Sequence, residues 1–196
     1  IKCGQYGDIS ALSHNPMKTL AALGEAGSVL TDSIEIKERL DTLRYNGMIH
    51  KEVLSEVSLN YRMDTLQAAV LNQRLKKLDT SIEIRNSNAL LYDSLLKNTE
   101  LKLPSTQANE VHAYYTYTVL AEKRDQLMNF LSQSGIEVKI QHPILMPNQK
   151  HYVNYKREID NALELADKIL CLPIGCHLQS NNIEFICDKV RVFYGQ

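Results

Sequence analysis

The sequence predicts an α/β protein, in which short apolar strands alternate with amphipathic helices. Two Gly-flanked apolar runs near the start, Ile9–Leu12 and Ser28–Thr31, are typical of buried strands. Two central segments, Met63–Leu78 and Ile82–Leu96, repeat apolar residues at helical intervals. The run His112–Ala121 is rich in Tyr, Thr and Val, as strands are. The order of these elements predicts a small α+β part at the C-terminal end, with helices covering a short antiparallel sheet.

The first helix has recognisable ends. Asp32-Ser33-Ile34-Glu35 has the character of a capping box, and apolar residues then recur at helical spacing up to Gly47, a residue suited to end a helix. The following segment, Met48–Leu59, has weak periodicity and is predicted to be an irregular connection. The charged residues of the two central helices are predicted to form a solvated face: Arg74, Lys76, Lys77, Glu83 and Arg85.

The C-terminal part begins after a loop rich in turn formers, Pro104–Asn109. Helical periodicity predicts a helix over Lys123–Ser134, which ends at a glycine, and alternation predicts a strand over Ile136–Gln141. His142–Tyr155 is predicted to be a loop. Two further amphipathic helices are predicted over the ranges Glu158–Leu170 and Asn181–Tyr194.

The composition is that of an ordinary globular protein. Of 196 residues, 44% are hydrophobic and 23% charged, with a formal net charge of -1, which argues against disorder, a nucleic-acid surface or a membrane patch. No apolar run approaches the roughly 18 residues of a spanning helix. We therefore expect a cytoplasmic protein with reduced cysteines. Cys176-His177 with Cys171 lacks a fourth ligand at suitable spacing, so no metal site is predicted.

Lys18 lies in the polar turn between the first two apolar runs, directly after Asn15-Pro16-Met17. A lysine held between buried strands is expected to be largely dry, and desolvation lowers the pKa of its ammonium group. A neutral amine is what a Schiff base with an aldehyde cofactor requires. Ser13, five residues earlier, is placed to offer its hydroxyl to an anion. By spacing alone this pair is a weak signal, because such a lysine is more often a solvated charge.

The wider context of Lys18 resembles the cofactor-lysine region of sugar aminotransferases of the DegT/DnrJ/EryC1/StrS family. The segments that carry the resemblance are Gly4–Ile9, Ser13–Lys18, Gly24–Thr31, Leu43-Arg44-Tyr45-Asn46-Gly47 and Asn60–Ala69. The similarity continues more loosely to the last helix, so it covers essentially the whole chain.

This resemblance implies the C-terminal half of an enzyme that uses pyridoxal phosphate (PLP). The fold would be the C-terminal part of a PLP-dependent transferase (fold type I) large domain plus a small α+β C-terminal domain. The missing half would hold the aromatic residue stacked on the pyridine ring and the aspartate paired with its nitrogen. The predicted division is a part of the large domain, bridging helices and the small domain, over residues 1–60, 61–103 and 104–196.

The resemblance also assigns roles to individual residues. Lys18 matches the lysine that binds the cofactor and moves the proton during amino transfer. Ser13 matches a serine that binds the cofactor phosphate, although a serine at a strand end also bonds its own turn. Asn60 matches an asparagine that reaches the phosphate from the neighbouring subunit. Arg62 and His142 are weaker candidates for substrate binding.

Three departures from the family pattern bear on these assignments. Ser58 stands where relatives commonly have glycine, which leaves the backbone path at Asn60 less defined. Tyr115 replaces a histidine that many relatives carry. Gln141-His142-Pro143 replaces a His-Tyr-Pro pattern near the sugar, so a different substrate contact is expected there. His14 is expected to pack or hydrogen-bond beside the strand, because relatives vary at this position.

The function implied is transfer of an amino group, typically from glutamate, to a keto sugar linked to a nucleotide, by a homodimer with shared active sites. An alternative is a non-catalytic fragment, or a regulatory or dimerisation module of the same family. A third is a PLP enzyme of another reaction type, such as a dehydratase; Lys18 argues against it, since relatives with that activity replace the lysine by histidine.

Overall fold

The computed structural model describes residues 2–155 and 159–196, which form two compact units, Ile1–Leu78 and Asp79–Gln196. The predicted three-part division concerns the domains of the complete protein and stays a prediction. Among the described residues, no helix is both long and apolar enough to cross a membrane.

The first unit begins with a two-stranded antiparallel sheet. Strand β1, Ser10–Ser13, pairs with β2, Gly27–Leu30, so that Ser13 lies opposite Gly27. Both predicted strands are confirmed, but the prediction that they are buried is wrong. Val29 is 48% exposed, because a sheet of two short strands has few neighbours to cover its faces.

Helix α1, Ile34–Arg44, begins where its capping signal predicts. The Ser33 hydroxyl accepts a hydrogen bond from the Ile36 amide at 3.3 Å. Beyond the helix, Gly47 adopts a φ of +73°, and a Cβ at this position would lie 1.7 Å from the Glu56 carbonyl oxygen. Only glycine allows the following segment to pack this closely.

The segment predicted to be an irregular connection contains a small hairpin. Strand β3, Met48–Ile49, pairs with β4, Val53–Leu54, in antiparallel register. The turn between them places His50 and Lys51 at φ values of 51° and 65°. Turn prediction relies on Gly, Asn or Asp at such positions, so this turn left no signal in the sequence.

Helix α2, Thr65–Leu75, closes the first unit, as the periodicity predicts. It follows Asp64 and contributes Leu71 to the few buried side chains of this unit.

The second unit is a layer of helices around one antiparallel strand pair. Strand β5, Tyr117–Leu120, pairs with β6, Ile169–Leu172, and Tyr117 lies opposite Leu172. The helices are α3, Leu78–Leu96; α4, Arg124–Gln133; α5, Asp160–Ala166; and α6, Ser180–Phe193. The apolar faces of α3, α4 and α6 and the strand pair contribute to a core of fully buried residues that includes Leu96, Leu127, Leu131, Leu170, Ile183 and Val190. The predicted α+β character of this part is confirmed.

Several predicted element boundaries in this unit need correction. Strand β5 starts only at Tyr117, because Tyr114 has a φ of 41°, which an extended strand does not accommodate. The predicted strand Ile136–Gln141 is reduced to a single bridge between Lys139 and Cys171. Leu170 belongs to β6 rather than to the preceding helix, and Glu158 lies outside the described residues. The predicted loop His142–Tyr155 contains two short 3-10 turns.

Polar side chains of α3 fasten the segment that follows β6. Asn88 is buried and its amide donates to the carbonyls of Gly175 and Leu178, both at 3.2 Å. The Tyr92 hydroxyl donates to the Pro173 carbonyl at 2.8 Å. The Arg85 guanidinium, predicted to be solvated, instead donates to the carbonyls of Tyr114 and Ile174, at 2.8 and 3.3 Å. These bonds satisfy carbonyl groups that no strand partner reaches.

We expect the four cysteines to divide into two reactivity classes. Cys3 and Cys176 are exposed, whereas Cys171 and Cys187 are buried, and burial raises the pKa of the Cys187 thiol to about 12. Only thiolates react readily with iodoacetamide. At pH 8 the reagent should therefore modify Cys3 and Cys176 in the native protein, and all four in urea. Peptide mass spectrometry measures this, and rapid native labelling of Cys187 would contradict the described core.

The same pKa shift predicts a loss of stability at alkaline pH. An unfolded thiol has a pKa of about 8.5, below that of folded Cys187, so the unfolded state loses its proton first. The stabilisation is therefore complete below about pH 8.5 and declines as the pH rises towards the folded pKa of about 12. Thermal unfolding midpoints measured between pH 8 and 11 should fall, and less steeply in Cys187→Ala.

Replacing Gly47 tests the close packing after α1. Gly47→Ala should lower the thermal unfolding midpoint more than Gly135→Ala, because the Gly47 site adds a clash with Glu56 to the strain of a positive φ. Gly135 is the matched control: its φ is +77°, and a Cβ there meets nothing within 4 Å. Equal shifts in the two variants would show that the hairpin does not pack against Gly47.

Candidate functional site

Lys18 lies in the loop that connects β1 to β2, which we call the lysine loop, residues 14–26. The start of this loop is a tight turn. The Asn15 side-chain oxygen accepts from the Met17 amide at 3.0 Å, and the Lys18 amide donates to the Asn15 carbonyl at 2.8 Å. The Asn15 side-chain nitrogen also donates to Glu25 at 2.7 Å. The backbone at Lys18 is thus fixed by bonds to both ends of its own loop.

His14 holds the lysine loop from within. It is 6% exposed, and its ring nitrogens lie 3.0 Å from the Leu20 carbonyl and 2.8 Å from the Ser28 hydroxyl. Because a carbonyl oxygen only accepts, Nδ1 of His14 carries a proton. The backbone of His14 also bonds Ala26 and Ala22, each at 2.8 Å. The expectation that His14 bonds beside the strand is confirmed.

Lys18 is half-buried rather than dry, so the sequence argument from full desolvation is wrong for this chain. The reason lies in the strands on either side. They form an exposed two-stranded sheet, and the loop between them is therefore reached by solvent. The structure does provide Lys18 with a fixed backbone. The position from which its flexible side chain extends is therefore defined.

Ser13 is exposed at the end of β1, and its hydroxyl oxygen accepts from the Asn15 amide at 3.3 Å. This is the local turn bond that the sequence left open as an alternative. A hydroxyl that accepts one bond still has its own O–H to donate. The turn bond therefore orients Ser13 without using the proton that an anion needs. Its role towards a phosphate stays a prediction.

Helix α2 holds the lysine loop from outside. The Gln67 side-chain oxygen accepts from the amides of Leu23 and Gly24, at 2.8 and 3.2 Å. One guanidinium nitrogen of Arg74 donates to the carbonyls of Ala21 and Ala22, at 2.7 and 3.2 Å. The sequence analysis missed both contacts and assigned Arg74 to a solvated face. The available signal was their spacing, since residues seven apart share one helix face.

Asn60 and Arg62 form a second group, around Tyr45. The Asn60 side-chain oxygen accepts from the backbone and side chain of Arg62, at 3.2 and 3.0 Å. The Arg62 guanidinium lies 4.5 Å from the centre of the Tyr45 ring. The backbone path is also defined, because Ser58, at the departure from the family pattern, donates to the Leu43 carbonyl at 2.8 Å. Asn60 keeps its NH2 end as a donor suited to an anion.

His142 belongs to the second unit, whereas the other candidates belong to the first. It is exposed, with a φ of 54°, and its ring nitrogen lies 3.3 Å from the side-chain nitrogen of Gln141. The amide donates in this contact, so Nε2 of His142 accepts. Its role towards a substrate stays a prediction.

The donor set of the first unit fits a phosphorylated aldehyde better than a metal ion. Lys18 offers a primary amine, Ser13 a hydroxyl, Asn60 an amide and Arg62 a guanidinium, all of which donate to anions. Within residues 2–155 and 159–196 there is no group of His, Cys, Asp and Glu side chains that would hold a metal.

Comparison with known proteins places the chain in a family. Residues 1–191 match the profile of the DegT/DnrJ/EryC1/StrS aminotransferase family. The Pleiotropic regulatory protein of Geobacillus stearothermophilus is 30% identical over 98% of this chain and 54% of its own length. The dTDP-3-amino-3,4,6-trideoxy-alpha-D-glucose transaminase of Streptomyces venezuelae is 32% identical over 97% of this chain and 51% of its own length. The chain thus spans about half the length of the curated relatives it matches.

Solved structures agree with the sequence match. The crystal structure of a DegT DnrJ EryC1 StrS aminotransferase from Brucella abortus aligns with a TM-score of 0.93 at 29% identity. The alignment covers 100% of this chain and 53% of that one. The predicted fold class is therefore confirmed. The family profile matches residues 1–191, and the fold agrees with that of a solved member. The chain therefore belongs to the DegT/DnrJ/EryC1/StrS aminotransferase family.

Proposed function

We propose that the complete protein is a PLP-dependent aminotransferase that acts on a keto sugar linked to a nucleotide. The amino donor would be an amino acid such as glutamate, and the reaction would belong to cell-surface polysaccharide or amino-sugar biosynthesis. The observation that carries this proposal is a lysine on a loop whose backbone is bonded from within and from outside. The Streptomyces venezuelae relative, named as a dTDP-sugar transaminase, supports the substrate class. The cytoplasmic location stays a prediction.

Lys18 is the residue to which we assign the chemistry. Its amine would hold the cofactor through the aldehyde carbon and then, once the donor amine replaces it, carry a proton between the substrate carbon and C4′ of the cofactor. When bound, PLP supplies the electron sink for the negative charge that develops beside the donor nitrogen. The fixed backbone at Lys18 limits the region that the amine samples, which favours the two positions that this proton transfer requires.

Ser13 and Asn60 would bind the cofactor phosphate, and Arg62 and His142 would contact the substrate. The Ser13 hydroxyl and the Asn60 NH2 group are both exposed donors in this chain. The side-chain oxygen of Asn60 accepts both bonds from Arg62. The NH2 group of the same side chain is therefore left to donate to a different partner. We further propose that Asn60 serves the site of the neighbouring subunit in a homodimer.

A regulatory role is the second candidate function. It is favoured by the name of a relative reported above, the Pleiotropic regulatory protein, which is 30% identical over 98% of this chain. A regulator of this family has no need to trap PLP at Lys18, whereas the aminotransferase does. The same chemical experiment therefore separates the two functions.

The test of the proposed function is reductive trapping on the full-length protein. After incubation with PLP and reduction with borohydride, the adduct should be found on the peptide that contains Lys18, because reduction fixes the link between amine and aldehyde. The adduct should be absent from Lys18→Ala and retained in Lys51→Ala, which removes an exposed lysine of the first unit. Peptide mass mapping gives the readout. Trapping at other lysines alone, in the wild-type protein, would reject the aminotransferase function in favour of regulation.

The shared-site proposal is tested by mixing two inactive variants. A dimer with one Lys18→Ala subunit and one Asn60→Ala subunit contains one intact site only if the two residues of a site come from different subunits. Random mixing should then restore about a quarter of wild-type activity, since half of the dimers are mixed and each has one of two sites. Transamination of the preferred keto sugar is the measurement. If both residues of a site come from one subunit, mixing restores nothing.

A further inference from the structure

We propose that Gln67 and Arg74 are positioning residues for Lys18, and that the face of α2 on which they lie sets where the lysine amine is held. This inference rests on the proposed role of Lys18 as the cofactor lysine. It assigns a function to two side chains that act on the site without touching the cofactor or the substrate.

The two side chains bind the backbone of four consecutive residues of the lysine loop, Ala21–Gly24. Arg74 donates to the carbonyls of Ala21 and Ala22, and Gln67 accepts from the amides of the next two residues, Leu23 and Gly24. Donor and acceptor thus match the order of backbone groups along the loop. Residues seven apart lie two turns away on the same side of a helix, so one rigid element makes all four bonds.

Apart from these four bonds, the segment Ala21–Gly24 has one bond from the Ala22 amide to the His14 carbonyl, at 2.8 Å, and two small buried alanine side chains. Ala21 and Ala22 have no side chain beyond Cβ, and Leu23 is 62% exposed. A Cβ at Gly24 would lie 3.2 Å from the Gln67 side-chain nitrogen, so the glycine lets this side chain lie close to the loop. The backbone here forms no strand, and its polar groups must find partners elsewhere. Gln67 supplies the partner of the Leu23 and Gly24 amides, and Arg74 that of the Ala21 and Ala22 carbonyls.

The restraint reaches Lys18 over a short length of chain. Only Thr19 and Leu20 separate Lys18 from the segment Ala21–Gly24, and the Leu20 carbonyl is itself bonded to the His14 ring at 3.0 Å. The Lys18 amide is bonded to Asn15 at 2.8 Å. Because a residue spans at most about 3.6 Å of extended chain, a shift of α2 relative to the strands is passed to Lys18 with little slack.

The test compares, in the full-length protein, variants that remove the hydrogen bonds of Gln67 and Arg74 with conservative variants that keep them. Gln67→Leu removes the acceptor, and Gln67→Glu keeps it. Arg74→Met removes the donor, and Arg74→Lys keeps it. Gln73→Leu serves as the matched control for Gln67→Leu, since it makes the same change at an exposed position of α2, and Lys76→Met removes a different cationic side chain at the exposed residue that follows this helix. Three quantities are measured: amide hydrogen exchange at Leu23 and Gly24 without cofactor, the rate of borohydride trapping at Lys18, and the pH midpoint of the PLP absorbance change.

We expect Gln67→Leu, which removes the acceptor of the Leu23 and Gly24 amides, to speed their exchange by about tenfold or more. Arg74→Met should also speed it, because it releases the carbonyls of the two preceding residues. Trapping at Lys18 should slow by a similar factor, and the pH midpoint of the absorbance change should move, because the amine is no longer held at the cofactor aldehyde. Gln67→Glu and Arg74→Lys should restore all three quantities to within about threefold of wild type. The two controls should leave them unchanged.

Two results would overturn the inference alone. One is faster amide exchange with an unchanged rate of trapping and an unchanged pH midpoint. Gln67 and Arg74 would then stabilise the loop without positioning Lys18. The other is unchanged exchange in Gln67→Leu and Arg74→Met, which would mean that the loop keeps its position without them. If the wild-type protein forms no adduct at Lys18, the proposed function itself fails and this inference fails with it.

Discussion

The structure of the first unit depends on one constraint: the backbone polar groups of a long loop need partners where no strand supplies them. His14 and Asn15 meet this need from the loop itself, and Gln67 and Arg74 meet it from one face of α2. Their bonds turn thirteen residues between two short strands into a defined support for Lys18. The location of the Lys18 backbone is therefore a result of main-chain hydrogen bonding more than of hydrophobic burial.

Elements with local signals were predictable from the sequence, and those that depend on unusual dihedrals were not. Ser33 marks the start of α1, and Gly135, with a φ of +77°, follows α4 as its sequence position predicts. The positive φ of Tyr114, which shortens β5, has no counterpart in residue type. The exposure of Val29 was also beyond the sequence, because burial depends on neighbours that periodicity does not identify.

The same division applies to the candidate site. Lys18, Ser13 and Asn60 could be named as candidates because the resemblance places them in recognisable segments, and their roles stay predictions. Gln67 and Arg74 were missed because each bonds to the main chain, so the residues they contact, Ala21 to Gly24, leave no complementary side chain in the sequence. A partner of this kind is visible only once the helix and the loop are placed together.

The distribution of buried residues has a further consequence. Among the described residues of Ile1–Leu78, the buried apolar side chains are Ala21, Ala22 and Leu71, whereas Asp79–Gln196 contains the entire enclosed core. Unfolding of this chain should thus proceed by stages, with Lys18 in the stage of lower free energy. Ligands that contact the lysine loop would then act as stabilisers by mass action, and the cofactor would shape the site that receives it.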